Sequence, residues 1–194
     1  MNPLDFGSKG VNVYNYKDGK LEKRSVVDQR HFDFLMDKEG DKKIVLECST
    51  VGDKRFSSFG AKVNCFGWDD IVEFHYFTSK GFTGVAVPNI KRSSWSDKMR
   101  FVNAVKGIPA DYMVLNGKAY DADLLPQWYH LLWIKYLDRN PVLVEYLNQF
   151  DDFNDVFKGS SVSCQADSIR KYIKDGRESL MQECSELLEE MRGK

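Results

Sequence analysis

The period of the apolar residues changes along this chain, and the change limits the folds it can adopt. In the first half, short extended runs such as Ile44–Cys48 and Ala61–Phe66 alternate with turn residues, which is typical of β-strands. Hairpins are predicted at two dipeptides that favour the type I′ turn, namely Asp18-Gly19 within residues 11–27 and Asn116-Gly117 within residues 112–120.

From residue 123 onward, apolar side chains recur at helical spacing. This pattern predicts helices over residues 123–138, 141–149, 165–173 and 178–191, with a short helix over 151–157. We therefore expect an α+β fold, with strands and hairpins in the N-terminal half and helices dominating the C-terminal half.

The chain is long enough for one domain with its own core. It has 194 residues, of which 42% are hydrophobic and 13% aromatic. The formal net charge of −1 gives no general attraction to nucleic acid or anionic membranes. We expect a single domain over residues 1–194, made of an N-terminal hairpin extension (1–43), a core (44–160) and C-terminal helices (161–194).

The segment Asp69–Lys80 is predicted to form one helix that carries a single glutamate, Glu73. Lys80 follows about two helical turns later, so both side chains would share a face with Phe77 between them. A carboxylate among aromatic rings can have the shifted pKa of a catalytic group. Neighbouring Asp69 and Asp70 would raise that pKa further by repulsion if they lay close.

A second interpretation of Glu73 is purely structural. Asp70 and Glu73 have the spacing of a capping box, with Asp70 as N-cap and Glu73 at the third helical position. In that case the Glu73 carboxylate would fold back onto its own helix N-terminus. Spacing alone leaves both interpretations open.

The order of motifs around Glu73 resembles the NADAR superfamily, whose fold is YbiA-like. That family's signature is a strand, a Ser-Thr turn, F-S-N-F, a Gly-containing hairpin and a helix with E-x6-K. The corresponding residues here are Ile44–Glu47, Ser49-Thr50, Phe56-Ser57-Ser58-Phe59, Gly67 and Glu73…Lys80. Residues 133–143 are similar to the family's A-x-K-F-x-Q-N-P-x-L junction, and the resemblance spans roughly residues 44–160. Phe77 stands where the family has a Gln, and its C-terminal W-G segment has no counterpart.

The resemblance implies N-glycosidic chemistry on an ADP-ribose-type or nucleotide-type substrate, in a protein of bacterial or phage origin. Glu73 would be the catalytic carboxylate. The substrate-binding residues would be Phe56, Ser57, Ser58, Phe59, Phe77 and Lys80. Arg92 and Trp95 are added because their loop mixes cations with an aromatic ring, which can cover a nucleotide by charge and stacking. The implied partner is a small ADP-ribose-like molecule, and nucleic acid enters only as a modified substrate.

Each of these residues also has a structural interpretation. Phe56 and Phe59 suit a core, Ser57 and Ser58 suit a turn, and Lys80 suits a helix C-terminus. The loop around Arg92 and Trp95 suits a solvated connection with one packed Trp. Two alternatives to an enzyme therefore stay open: a protein that binds an ADP-ribose-derived nucleotide without turnover, and an interaction protein with no small-molecule site.

No metal, cofactor or membrane contact is predicted. The cysteines form no C-x-x-C pair, and no Gly-rich phosphate loop or H-E-x-x-H motif occurs. The N-terminus is not that of a signal peptide, and no apolar run approaches a membrane span. We therefore expect a cytoplasmic protein with reduced thiols.

Overall fold

The computed structural model describes residues 11–17, 20–26, 45–50, 52–84, 91, 93–155 and 164–193. Nine strands occur within these ranges: β1 (Val11–Lys17), β2 (Lys20–Val26), β3 (Val45–Glu47), β4 (Lys62–Cys65), β5 (Trp68–Ile71), β6 (Lys80–Gly81), β7 (Tyr112–Leu115), β8 (Lys118–Asp121) and β9 (Asp152–Asn154). Seven α-helices occur in the same ranges: α1 (Val72–Thr78), α2 (Trp95–Val105), α3 (Leu125–Asp138), α4 (Pro141–Leu147), α5 (Gln165–Arg170), α6 (Arg177–Glu183) and α7 (Ser185–Arg192). The predicted α+β fold in one domain is confirmed.

The strands form three small sheets. The largest has the order β2-β1-β3-β9, in which β3 and β9 run parallel and the other pairs are antiparallel. Strands β4 and β5 form a separate hairpin, and β6-β7-β8 form the third sheet. The predicted helix over residues 151–157 is wrong at Asp152–Asn154, because these residues pair with β3 and complete the first sheet.

Helix α3 is the centre of the hydrophobic core. Leu132, Trp133 and Leu137 have no exposed surface, and burying each such side chain contributes about 1.5–3 kcal/mol. The core joins residues from β3, β4, β7, α4, α5 and α7 around this helix. The single helix predicted over 178–191 is wrong in one respect: it is two helices, α6 and α7. The helix is interrupted at Cys184, which is buried.

The predicted helix over Asp69–Lys80 is wrong at both ends. Residues Trp68–Ile71 pair with β4 as strand β5, and the helix covers only Val72–Thr78. Lys80 follows the helix and begins strand β6. Antiparallel pairing with β4 gives the backbone groups of β5 hydrogen-bond partners, and this outweighs the weak helical preference of the two Asp residues.

The helix predicted from residue 141 begins there, with Pro141 as the first residue of α4. The Asn140 side chain makes no cap bond to α4 and instead donates to the carbonyl oxygen of Tyr136 at 2.7 Å. Both predicted hairpins are confirmed by the β1–β2 and β7–β8 pairings. Arg92 lies outside the described residues.

Gly60 allows the close chain approach that shapes the turn before β4. A Cβ atom at this position would lie 1.8 Å from the carbonyl oxygen of Lys54, a backbone atom that cannot move aside alone. We expect Gly60→Ala to lower the free energy of unfolding by about 3 kcal/mol, as overpacking does. Urea unfolding should measure this loss.

The control for this prediction is Gly107→Ala, because a Cβ at Gly107 meets no atom within 4 Å and only the φ of +80° disfavours it. That variant should lose about 1 kcal/mol. Equal losses in the two variants would contradict the proposed steric cause.

No helix among the described residues is long and apolar enough to cross a membrane.

Candidate functional site

The turn that carries Ser58 is tied directly to the N-terminus of α1. Asp53 caps the short 3₁₀ helix Lys54–Phe56 by accepting a hydrogen bond from the backbone N–H of Arg55. The backbone N–H of Glu73 then donates to the carbonyl oxygen of Ser58 at 3.0 Å. Val72 donates in the same way to the carbonyl oxygen of Ala61 at 2.9 Å. These bonds satisfy two N–H groups that a helix N-terminus otherwise leaves unpaired.

The Glu73 carboxylate does not cap its own helix. The N-cap position of α1 is Ile71, which makes no side-chain cap bond, and this places Glu73 at the second helical position. Asp70 accepts from the backbone N–H of Ile71 and forms an ion pair with Lys98. The capping-box interpretation of Asp70 and Glu73 is therefore wrong.

Burial determines the ionisation of Glu73. Removal of the carboxylate from water raises the pKa of Glu73, while a hydrogen bond from Ser58 and the cations Lys106 and Lys80 lower it in part. Asp69 and Asp70 do not contribute, contrary to the prediction, because they lie on β5; instead they raise the pKa of His75 against its burial. Glu73 thus holds its proton to a higher pH than an exposed glutamate does.

Tyr129 of α3 completes a polar cluster with Ser58 and Glu73. Ser58 acts on both of the other groups, because hydrogen bonding by its hydroxyl lowers the pKa of the Glu73 carboxyl and that of the Tyr129 phenol. Tyr129 itself donates to the Gln165 side-chain oxygen at 3.2 Å, and Gln165 donates to the Cys48 carbonyl oxygen at 2.7 Å. We call Ser58, Glu73 and Tyr129 the Glu73 cluster.

The phenol of Tyr129 stays neutral next to the carboxylate. Burial and the neighbouring Glu73 charge raise the pKa of Tyr129 well above its usual range. The ring of Tyr76 meets that of Tyr129 edge to face at 4.9 Å, and burial and Glu73 also raise the pKa of Tyr76. Both phenols therefore stay neutral, and both respond to the charge of the Glu73 carboxylate.

The ammonium group of Lys80 lies over the rings of Tyr76 and Phe77. Its ammonium nitrogen lies 4.7 Å from the centre of the Tyr76 ring and 4.5 Å from that of Phe77, within the range of cation–π contact. Burial lowers the pKa of Lys80, and the nearby Glu73 carboxylate opposes this. Lys80 thus supplies positive charge near Glu73 even though it is not on α1.

The other residues of the F-S-S-F turn differ in burial. Phe56 has no exposed surface and its ring lies parallel to that of Tyr146 at 6.0 Å. The Ser57 hydroxyl is buried and accepts from the backbone N–H of Phe59 at 3.3 Å. Phe59 is partly buried against a second apolar cluster that includes Phe74 and Phe77. Of these residues, only Phe59 keeps surface that a ligand could contact.

Trp95 lies at the start of α2 and is 55% exposed. Its ring meets Phe74 of α1 edge to face at 5.0 Å. This contact holds Trp95 against the helix that carries Glu73, although no contact joins Trp95 to the Glu73 cluster itself among the described residues. Arg92 lies outside them.

The sequence did not indicate Tyr129, Gln165 or Lys106 as neighbours of Glu73. Tyr129 belongs to an aromatic stripe of α3 with Trp128, Trp133 and Tyr136, and all four are buried. The only available signal was a hydroxyl within that stripe, because a buried phenol needs a polar partner. Gln165 gave a similar signal as a polar residue on the buried face of a short helix.

The two histidines that the structure describes, His75 and His130, have structural partners. The ring nitrogen Nε2 of His75 donates to the Val63 carbonyl oxygen at 3.0 Å, and Nδ1 of His130 lies 2.9 Å from the Ser168 hydroxyl. Within the described ranges, no group of three or more His, Cys, Asp and Glu side chains is arranged to hold a metal ion.

The raised pKa of Glu73 predicts a specific dependence of stability on pH. The folded state prefers the neutral acid, so its stability falls as pH rises from the unfolded pKa through the folded one. Glu73→Gln removes this loss. The melting temperature of the variant relative to the wild type should therefore increase between pH 4 and pH 8. Parallel melting curves across this range should reveal the effect, and a difference that does not change with pH would contradict it.

A scan of the chain against protein-family models and a search of curated proteins both found no match.

Proposed function

We propose that this protein hydrolyses the N-glycosidic bond of an ADP-ribose-type or nucleotide-type substrate, with Glu73 as the catalytic carboxylate. The observation that supports this most is the state of Glu73: a carboxylate that is partly withdrawn from water and serves no cap. Its pKa is raised by burial, which brings it closer to the pH at which a general base works best.

The reaction needs a carboxylate that can both stabilise positive charge and accept a proton. As the bond between the anomeric carbon and the nitrogen breaks, its electron pair leaves with the nitrogen, and the sugar acquires oxocarbenium character. Glu73 would face this charge and take a proton from the attacking water. The water oxygen then bonds to the anomeric carbon, and the proton that Glu73 took passes to the departing nitrogen, which restores the carboxylate.

The surrounding residues suit the other parts of such a substrate. Lys80 and Lys106 both act electrostatically on Glu73, so an anionic phosphate near the carboxylate would meet two cations. Phe59 and the exposed ring of Trp95 offer apolar faces for a base. Ser58 would orient the carboxylate, because its hydroxyl lowers the pKa of Glu73 by hydrogen bonding. Tyr129 would support Ser58, because the same hydroxyl also acts on the Tyr129 phenol.

A second function, binding without turnover, is favoured by Phe77. Phe77 is 7% exposed and stands where the NADAR family, which this sequence resembles, has a Gln. An apolar ring there cannot hydrogen-bond a substrate or a water. In this case the same cations would hold an ADP-ribose-derived nucleotide that is not cleaved.

The two functions are separated by one set of incubations. The wild-type protein is mixed with NAD, ADP-ribose or an ADP-ribosylated oligonucleotide, and products are followed by chromatography while melting temperature is measured in parallel. Release of a free base supports hydrolysis. A raised melting temperature without product supports binding alone. Neither product nor a shift with any of the three would contradict both.

We also propose a cytoplasmic location. Cys48, Cys65, Cys164 and Cys184 are all free thiols, as is usual in a reducing compartment.

A further inference from the structure

A second site lies on the opposite face of helix α3 from the Glu73 cluster. A cavity of about 470 Å³ opens there between the tip of the β4–β5 hairpin, α3 and the C-terminal helices. This volume is within the range of cavities that hold small organic ligands. Its walls include Cys65, Phe66, Trp128, Leu131 and Met181.

The cavity and the Glu73 cluster share no residue. Successive residues of an α-helix are rotated by about 100°, so Trp128, Leu131 and Lys135 of α3 fall on one side, whereas Tyr129 and Trp133 fall on another. The first three line the cavity. Tyr129 instead faces Ser58 and Gln165. A ligand in this cavity would therefore be separated from Glu73 by the helix.

Phe66 occupies a turn position that does not suit it. The two-residue turns Phe66-Gly67 and Asn116-Gly117 have the same backbone form, with φ of 52° and 75° in the first and 49° and 83° in the second. Such turns favour Asn at their first position because few side chains tolerate positive φ. Phe66 is also 46% exposed. A strained and half-exposed aromatic residue suggests a role other than folding.

The Phe66 ring forms a flat apolar surface at the cavity. It is stacked on Trp128 with the ring centres 6.1 Å apart and an angle of 21° between the planes. Because Trp128 is buried and Phe66 is not, the outer face of Phe66 is available to stack on another ring. The flexible side chain of Met181 can adapt to the shape of a ligand.

The charged residues of the cavity favour an anion. Asp138 is already paired with Arg177, at 2.8 Å, and accepts from the Tyr172 hydroxyl. Lys135 and Arg139 form no ion pair or hydrogen bond with the residues that the structure describes. Both cations lower the pKa of the Cys65 thiol against the effect of its burial, so their positive potential reaches the cavity wall.

We propose that this cavity binds a small aromatic anion, with its ring on Phe66 and its carboxylate or phosphate group held by Lys135 and Arg139. The proposal does not depend on the function of Glu73.

The test is calorimetric titration of the full chain with 1-naphthyl phosphate, 1-naphthoate and neutral 1-naphthol. At least one anion should bind more tightly than 1-naphthol, and comparison of the two anions distinguishes phosphate from carboxylate recognition. Phe66→Asn should weaken binding of the preferred anion about tenfold, while the melting temperature stays the same or rises because Asn suits the turn. Ile108→Asn, which removes another half-exposed apolar side chain, should not change binding.

A second variant keeps the test decisive if Phe66→Asn does not fold. Lys135→Met with Arg139→Met should reduce the preference for the anion over 1-naphthol by about tenfold. Absence of binding to the wild type, or binding that survives both the folded Phe66→Asn variant and the double variant, would overturn the proposal.

Discussion

In the N-glycosidic hydrolysis proposed above, Glu73→Gln is expected to lower kcat by about a thousandfold. Gln has nearly the same shape but can neither accept a proton from water nor stabilise positive charge on the sugar. The loss should appear in kcat and in kcat/KM alike, because the carboxylate acts in the transition state. Initial rates with the substrate identified by chromatography provide the measurement.

The control for this variant is Glu145→Gln. Glu145 lies on α4 and is exposed to solvent, so its neutralisation should leave kcat within about twofold of the wild type. A Glu73→Gln protein that melts normally and retains its full rate would rule out the catalytic assignment. If it still binds NAD or ADP-ribose, binding alone becomes the better account of the site.

Lys98→Met is expected to lower the free energy of unfolding by about 3–5 kcal/mol, or the melting temperature by about 10 °C. The side chains of Lys98 and Asp70 are 11% and 13% exposed and form an ion pair. The Lys98 ammonium also lies over the rings of Trp68 and Phe74. Removing the cation leaves the Asp70 carboxylate buried without its partner, which is why the expected loss is large. Thermal and urea unfolding should agree on it.

Two further variants test this explanation. Asp70→Asn combined with Lys98→Met should recover most of the loss, because Asn needs no counter-charge and can still accept from the Ile71 N–H. Arg100→Met breaks the exposed pair of Arg100 and Asp97, whose side chains are 79% and 53% exposed. That change should cost less than about 1 kcal/mol. If the double variant is no more stable than Lys98→Met alone, the unpaired charge is not the cause.

Local patterns predicted the elements whose contacts are themselves local. The Asn116-Gly117 hairpin was found because Asn-Gly stabilises its own turn, and α3 was found because its apolar residues repeat at helical spacing. The segment after Gly67 was assigned incorrectly because its strand β5 depends on pairing with β4. Strand β9 depends on a partner still farther away, since Leu46 pairs with Phe153. No local pattern contains that information.

The candidate site divides in the same way. The sequence by itself determined that a lone glutamate follows a turn of Phe and Ser residues, with aromatic rings and a lysine close behind. It left open whether Glu73 caps its helix or faces a ligand, because both arrangements use the same spacing. The tertiary structure decided against the cap, because the pairing of β4 with β5 moves the start of α1 to Val72. Packing of α3 against α1 then adds Tyr129 and withdraws the carboxylate from water, and burial of this kind depends on the whole fold rather than on neighbouring residues.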